Sequence, residues 1–524
     1  MKKLFKILCI SLCLMTLFSG CGNGDGSKDG ESIQQNLTPV EGGIIKLACF
    51  VPDTLNPFVT KYQNVRDVLM IVYEGLFKAE STLEAIPVLA ESYSVSTANK
   101  IYTVKLKPDI VFHDGSTMDA DDVIATFNYI KMYDTPYSVL FKNVLSYKKL
   151  DSHTVAIELI SPQANFVTNL DFPILPSGLA KQSFKEENPS FVPIGTGRFM
   201  YDSMVRNKNM SYKKFDKWHG DAKTYIDGIK VSFLHSSKDL FHAFDAGEID
   251  MFTTNGSNWG EFTFTSNHKS FETGSPRYTY IGINTNNDNF KDASVRREIN
   301  KAIDKKEMCE EVMFSHATPA TLPIISTAYY LEHHNKKNAE LETTKPESEE
   351  EKISTPEPSV KYDITAYLMY NSESDLKKRT AIYLKKELEP LGINLELQHF
   401  EFEEYKQRIV EGNYDMYIGE VVMNNNMNMD FMFSSTQKTN QNLCTFMSDE
   451  FDNLLVNLNM MSPDADSGEM FFANFVKYFE ENYPQIPLFH TNTALFVNNR
   501  IKGSITTDMT AFYNDIGDFF INYK

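Results

Sequence analysis

Cysteine is scarce in this chain, and the few cysteines lack the spacing of a metal or redox site. Of 524 residues six are cysteine. Cys9, Cys13 and Cys21 sit at the N-terminal end, and Cys49, Cys309 and Cys444 stand singly without CxxC spacing, so neither a disulfide framework nor a zinc site is expected. One pair among the last three stays open, because pairing depends on which of them meet in space. The patterns GxSxG, GxxxxGK[ST] and HExxH are also missing, which leaves no nucleophile elbow, phosphate cradle or metalloprotease helix and argues against an enzyme. Positive charge is in deficit: 51 Lys and Arg against 70 Asp and Glu give a formal charge of −19. Such a field disfavours nucleic acid and anionic membrane surfaces as partners. No uncharged run anywhere reaches the roughly 20 apolar residues that a membrane-spanning helix needs.

What is present begins with a targeting segment. Lys2, Lys3 and Lys6 form a positive start and Ile7 to Phe18 an apolar run of about 12 residues, followed by Phe18-Ser19-Gly20-Cys21. This end resembles a lipobox, with Phe18 where leucine is usual. The resemblance implies that residues 1–20 are a lipoprotein signal peptide and that the Cys21 thiol carries a diacylglycerol anchor on the extracytoplasmic face of the cell membrane. Loss of the three lysines takes the charge from −19 to about −22. Residues 21–40, rich in Gly, Asp, Ser, Asn and Gln, read as a flexible tether. With roughly 0.8 kcal/mol of membrane affinity per acyl CH₂, two or three chains hold such a body firmly.

The remaining length exceeds what one hydrophobic core supports, so at least two lobes are expected. Tyr102, Val104 and Leu106 alternate as in a strand, as do Val155, Ile157 and Leu159. Asp119 is a suitable N-cap for a helix to Tyr133 with Val123, Phe127 and Ile130 on one face, and Asp121 and Asp122 complement its dipole. In the second half Ile364, Ala366 and Leu368 alternate, and a helix follows with Ala381, Leu384, Leu388 and Leu391, stopped by Gly392. Ile393, Leu395 and Leu397 resume the period of two, Phe402 to Val410 reads as a helix, and Tyr414 to Val422 as a strand. This βαβαβ unit sets the class as α/β. Residues 336–358, dominated by Lys, Glu, Thr, Ser and Pro, read as a charged disordered loop.

Ordered blocks then carry a family resemblance. They are Thr54-Leu55-Asn56-Pro57, Val72-Tyr73-Glu74-Gly75-Leu76-Phe77, Pro87 to Tyr93, Phe112-His113-Asp114-Gly115 with Asp119 to Val123, Pro193-Ile194-Gly195-Thr196-Gly197, Ala246-Gly247-Glu248-Ile249-Asp250, and Val295-Arg296-Arg297 with Ala302-Ile303-Asp304. Together they resemble the family 5 extracytoplasmic solute-binding proteins of ABC importers, the group of oligopeptide, dipeptide and nickel-chelate binders. Most of these blocks read as scaffold. Asn56-Pro57 sets a turn, His113-Asp114-Gly115 a turn ahead of the helix cap, and Gly195 and Gly197 allow backbone angles closed to other residues at a lobe crossing. The resemblance implies a two-lobed periplasmic-binding-protein-like fold of type II with an extra subdomain in the first lobe. Lobe I would take residues 41–77, 192–283 and 486–524, the subdomain 78–191, and lobe II 284–485.

The resemblance further implies a lipid-anchored monomer without cofactor or metal that captures a peptide or other small solute in the interlobe cleft by hinge closure and delivers it to permease subunits. A peptide held this way lies extended and pairs its backbone with strand edges. Many peptide-binding relatives follow a Tyr-Asp pair with a Trp and, three residues later, an Asp that pairs with the ligand's ammonium. Here Tyr414-Asp415 leads to Val421 at the Trp position and Asn424 at the Asp position, so the charged anchor is absent or moved. Glu420 is the candidate to replace it, with Asn425 beside it. Lys61, Tyr62, Gln63, Tyr137, Tyr280 and His490 are the other candidate ligand contacts, each tyrosine weighed against ordinary core packing. A nickel or metal-chelate binder, for which His333-His334 is the only cue, and a sensory receptor that has lost transport are the alternatives.

Overall fold

The computed structural model describes residues 38–80, 84–163, 165–181, 191–255, 262–324, 331, 361–423, 428–435, 445–461, 466–503 and 513–522. Residues 1–20 with nearly all of the tether, and so Cys21, lie outside the described residues. So do residues 336–358, His333, His334, Asn424, Asn425 and Cys444. From Val40 onward the chain forms one compact unit.

Its strands form three main sheets among the described residues. The first has the order Ile44–Phe50, Gly228–Leu234, Asn209–Lys214, Phe199–Val205, with the first pair parallel and the rest antiparallel. The second is an antiparallel sheet of Ala90–Val95, Ile101–Leu106, Thr154–Leu159 and Val144–Asp151. Tyr102, Val104 and Leu106 are fully buried while their neighbours face out, as a half-buried strand requires. The helix Ala120–Met132 covers this sheet. Asp119 caps it, and Asp122 completes a capping box by accepting the Asp119 N–H at 2.9 Å. Asp122 therefore does more than balance a dipole, since its other oxygen accepts the Ser177 N–H at 2.7 Å.

The third sheet has the order Met251–Thr254, Gln485–Asn498, His268–Ile283, Met416–Val422, Ile364–Asn371, Ile393–Phe400, with Ala317–Pro319 added beside Gln485–Asn498. Its last three strands are parallel and alternate along the chain with the helices Asp375–Leu388 and Phe402–Val410, the βαβαβ unit expected from periodicity. Gly392 follows the first of these helices at φ +81°. Helices cover both faces of this part of the sheet. Ile281, Leu368, Met416 and Ile418 pack against one helical layer containing Ile299, Val312 and Leu384, and Tyr278, Met369 and Tyr417 against the other, containing Phe451, Phe475 and Phe479.

Two long strands tie the molecule together. His268–Ile283 runs for 16 residues and Gln485–Asn498 for 14. Their far ends pack with the first-sheet core through Phe271, Leu495 and Val497, and their near ends with the third-sheet core through Ile281, Ile283, Ile486 and Leu488. The pairing slips between Gly274 and Tyr278, where Ser275, Pro276 and Arg277 intervene. Ser275 Oγ and Thr491 Oγ1 meet there at 3.0 Å.

One sequence expectation is corrected. Gly195 and Gly197 do not adopt positive φ. They are needed because the backbone of Val72 passes against them: a Cβ on Gly195 would lie 2.1 Å from the Val72 carbonyl oxygen, and one on Gly197 would lie 2.7 Å from that of Ile71. Close approach, rather than a special backbone angle, is what those glycines supply. Cys49 and Cys309 are free and buried in different cores. Burial pushes the Cys309 thiol up to about 12 and the Cys49 thiol higher still.

Candidate functional site

A cavity of about 1310 Å³ opens between these layers. Its walls come from the loop and short helix after the first strand, from the subdomain, from the slipped stretch Ser275-Pro276-Arg277, and from the end of Met416–Val422 with Met423, Asn428 and Asp430 to Met432. The volume is above the few hundred to about a thousand cubic ångströms usual for small-molecule sites.

Seven of the candidate residues meet here: Lys61, Tyr62, Gln63, Tyr137, Tyr280, Glu420 and Val421 all line the cavity. His490 does not. It is 1 % exposed, lies in the core with its ring 5.1 Å from that of Tyr278, and burial brings its pKa down to about 4. Asn424 and Asn425 are outside the described residues, although their neighbours Val422, Met423 and Asn428 are on the wall.

Lys61, Tyr62 and Gln63 are presented by a tight turn. The Asn56 side chain accepts the Phe58 N–H at 3.0 Å, and Asp53 accepts the Lys61 N–H at 2.9 Å. Tyr62 is exposed toward the cavity and meets Phe50 edge-on at 6.1 Å. Tyr137 packs against Phe58 with centroids 5.1 Å apart, so it is both core and wall. Tyr280 lies across Gly419 of the neighbouring strand, its cross-strand partner, and a Cβ on that glycine would fall 2.2 Å from the ring. The arrangement repeats one step away, with Tyr417 over Gly282. The two tyrosines meet edge-on at 6.0 Å and pave the floor.

Glu420 has a partner already, because Arg277 Nη1 donates to its Oε1 at 2.6 Å across the strand pair. A ligand ammonium at Glu420 would have to share that carboxylate with Arg277. Around the Val421 position the wall is apolar, with Val422, Met423, Phe431 and Met432. Flexible, polarizable methionines stand where an adaptable surface is useful.

Nothing in the local sequence singles out Arg66, Asp67, Arg277 or Asp430, which also line the cavity. Burial raises the Asp430 carboxyl, against the pull of amide donors from Asn459 and Asn428. Burial pushes Asp67 up to about 6, opposed by its hydrogen bond from Gln63 and by the charge of Arg66. Part of Asp67 faces the cavity while protein encloses its other sides. Gln63 and Asp67 stand four apart on one helix face, a spacing that lets their side chains meet but is too common to mark a site. Among the described residues no group of three or more His, Cys, Asp or Glu is placed to hold a metal ion.

A mixed α/β body with helices on both faces of a sheet, a pair of shared long strands and a large cavity of mixed polar and apolar lining matches the fold of periplasmic solute-binding proteins. The chain belongs to the bacterial extracellular solute-binding proteins, family 5, whose middle region matches residues 84–442. It is 22 % identical over 526 residues, 96 % of each chain, to the oligopeptide-binding protein AppA of Bacillus subtilis. The structure of that protein in complex with a nonapeptide superposes with a TM-score of 0.64 at 19 % identity, covering 93 % of this chain and all of the other. The ABC transporter substrate-binding protein CtaP of Listeria monocytogenes gives 0.71 at 19 % identity over 92 % of this chain and 99 % of the other. NikZ of Campylobacter jejuni in complex with Ni(L-His) gives 0.64 at 19 % over 92 % and 100 %. At these identities the structures speak for the fold.

Proposed function

We propose that the protein is the lipid-anchored capture component of an ABC importer, taking peptides into the cavity and delivering them to permease subunits at the membrane. The observation that carries this reading is the convergence of Lys61, Tyr62, Gln63, Tyr137, Tyr280, Glu420 and Val421 on one cavity about 1310 Å³ in volume. That space accommodates an extended peptide of several residues with water beside its side chains. The strand ends at Thr253, Thr254, Val421 and Val422 supply backbone groups for an added strand.

Closure follows from the two shared strands. The slip at Ser275 to Arg277 interrupts their ladder at the cavity wall, and a few residues there can absorb the dihedral changes of a hinge. A ligand then drives closure by as much as it prefers the closed form. The lipid at Cys21 keeps the binder near its membrane partner and raises the local concentration of loaded protein.

The test is to purify the protein from its native host, denature it and analyse the released ligand by mass spectrometry. A family of peptides is expected. Release of a metal chelate would move the reading to the nickel-type alternative. Recovery of a sugar or of no ligand at all would sink the peptide reading and favour a receptor role.

A further inference from the structure

Four carboxylates line the cavity, Asp67, Asp171, Glu420 and Asp430, and they are not equivalent. Glu420 is paired with Arg277. Asp171 accepts the Ala79 N–H at 3.0 Å, and Asp430 accepts the Asn459 amide at 2.9 Å. Asp67 has a single neutral donor, the Gln63 Nε2 at 2.6 Å on its Oδ1. Arg66 beside it is turned elsewhere, with Nη2 on Gln63 Oε1 at 2.9 Å and Nη1 on the Thr60 carbonyl at 2.8 Å. Among the described residues Asp67 makes no ion pair, and its Oδ2 takes no hydrogen bond.

Among the described residues the titratable groups of other elements that feel the charge of Asp67 are the Cys49 thiol of the first strand, Tyr137 of the subdomain and Tyr513 of the C-terminal segment, and Asp171 acts on the same Tyr137; none of them is positive. A half-buried carboxylate with one neutral donor, beside an arginine whose guanidinium is occupied elsewhere, is costly to keep ionised. Such a group is expected where a partner arrives from outside, and residues of this kind cluster at functional sites. The aromatic rings of Phe50, Tyr62 and Tyr137 line the same cavity and suit a cation that settles against their faces.

We propose that Asp67 is the specificity-determining acceptor for a positively charged nitrogen of the bound solute, the α-ammonium or a Lys or Arg side chain of a peptide. The inference rests on the peptide reading above. It moves the charged anchor from the segment after Tyr414-Asp415 to the helix Gln63–Leu69. The charge-assisted hydrogen bond forms only with the ionised carboxylate, so affinity for a cationic ligand falls as pH drops through the range near 6.

The test is calorimetric titration of wild type and Asp67→Asn with three probes: Ala-Ala-Ala-Ala with a free amine, its N-acetyl form, and N-acetyl-Ala-Lys-Ala-Ala. Wild type is expected to bind one or both cationic probes about tenfold or more tighter than the neutral one, and to lose about tenfold of that affinity between pH 7.5 and pH 5. Which cationic probe wins tells the α-ammonium from the side chain. Asp67→Asn should lose both the preference and the pH dependence, while cooperative thermal unfolding shows that it is folded. A variant that keeps the wild-type preference and pH profile overturns the role of Asp67 and leaves peptide capture standing. Binding of none of the probes by wild type overturns peptide capture and this inference with it.

Discussion

His490 is buried and Asp67 half-buried at the cavity, and acid acts on these two ionisable groups with opposite signs. Burial holds the His490 pKa down to about 4 from 6.5, so the unfolded chain takes a proton that the folded one refuses. The stability this group contributes is full above pH 6.5 and is lost progressively toward pH 4. Asp67, raised to about 6, takes its proton in the folded state first, so its penalty is full above pH 6 and is relieved as pH falls toward 4. At about 1.4 kcal/mol per pH unit, His490 costs the fold about 2 kcal/mol between pH 7 and pH 5, and Asp67 returns about 1. His490→Gln is therefore expected to reduce the loss of stability between those two pH values by about 2 kcal/mol in urea unfolding. Asp67→Asn should stabilise the ligand-free protein by about 2 to 3 kcal/mol at pH 7 and by roughly half as much at pH 5. A variant less stable than wild type at pH 7 would show that the carboxylate is not under the strain its surroundings indicate.

Among elements, the pairing of Met416–Val422 with His268–Ile283 decides the cavity floor. Tyr280 lies flat only because Gly419 has no side chain, and glycine beneath a cross-strand aromatic ring is a recurring device in sheets. Gly419→Ala should swing the ring into the cavity, destabilise the fold by about 1 to 3 kcal/mol and weaken ligand binding about tenfold. Unchanged calorimetric affinity in that variant would mean that Tyr280 is not part of the binding surface. The elements themselves were largely readable in advance. The unit from Ile364 to Val422 follows from its periods of two and 3.6, because strands and helices that bury one face announce it in their spacing. The partners of the long strands were not readable, since register between segments far apart in sequence is set by tertiary packing. The reason for Gly195 and Gly197 was likewise hidden, as no local pattern reveals that another backbone passes within contact. Lys61 to Gln63 and Glu420 were placed by resemblance to a family. Asp67 escaped because a helical aspartate next to an arginine looks like any solvated surface pair.

For the molecule as a whole, the shared strands and the proposed anchor make separate predictions. If the Ser275 to Arg277 slip is the hinge, a bound peptide couples the two ends of those strands. Saturation at a hundred times Kd should then raise stability by about 2.7 kcal/mol, seen as a higher Tm. No rise in Tm with any peptide tested would argue against capture. Cys21→Ser should leave the fold intact and shift the protein from the membrane fraction to the soluble one, with loss of labelled fatty acid from the chain.

The same two strands also dictate when the fold can form. Gly282 pairs with Gln485 and His268 with Asn498, partners about 200 residues apart in sequence, and contacts of that span are the slow step of folding because the loop must close before they stabilise anything. Gln485–Asn498 is what joins Met251–Thr254 and Ala317–Pro319 to His268–Ile283, so those links wait until it has been made. A chain emerging N-terminus first can therefore complete its local hairpins first and the βαβαβ unit once Val422 has been made, yet the two long strands close their ladder only after Gln485–Asn498 has followed.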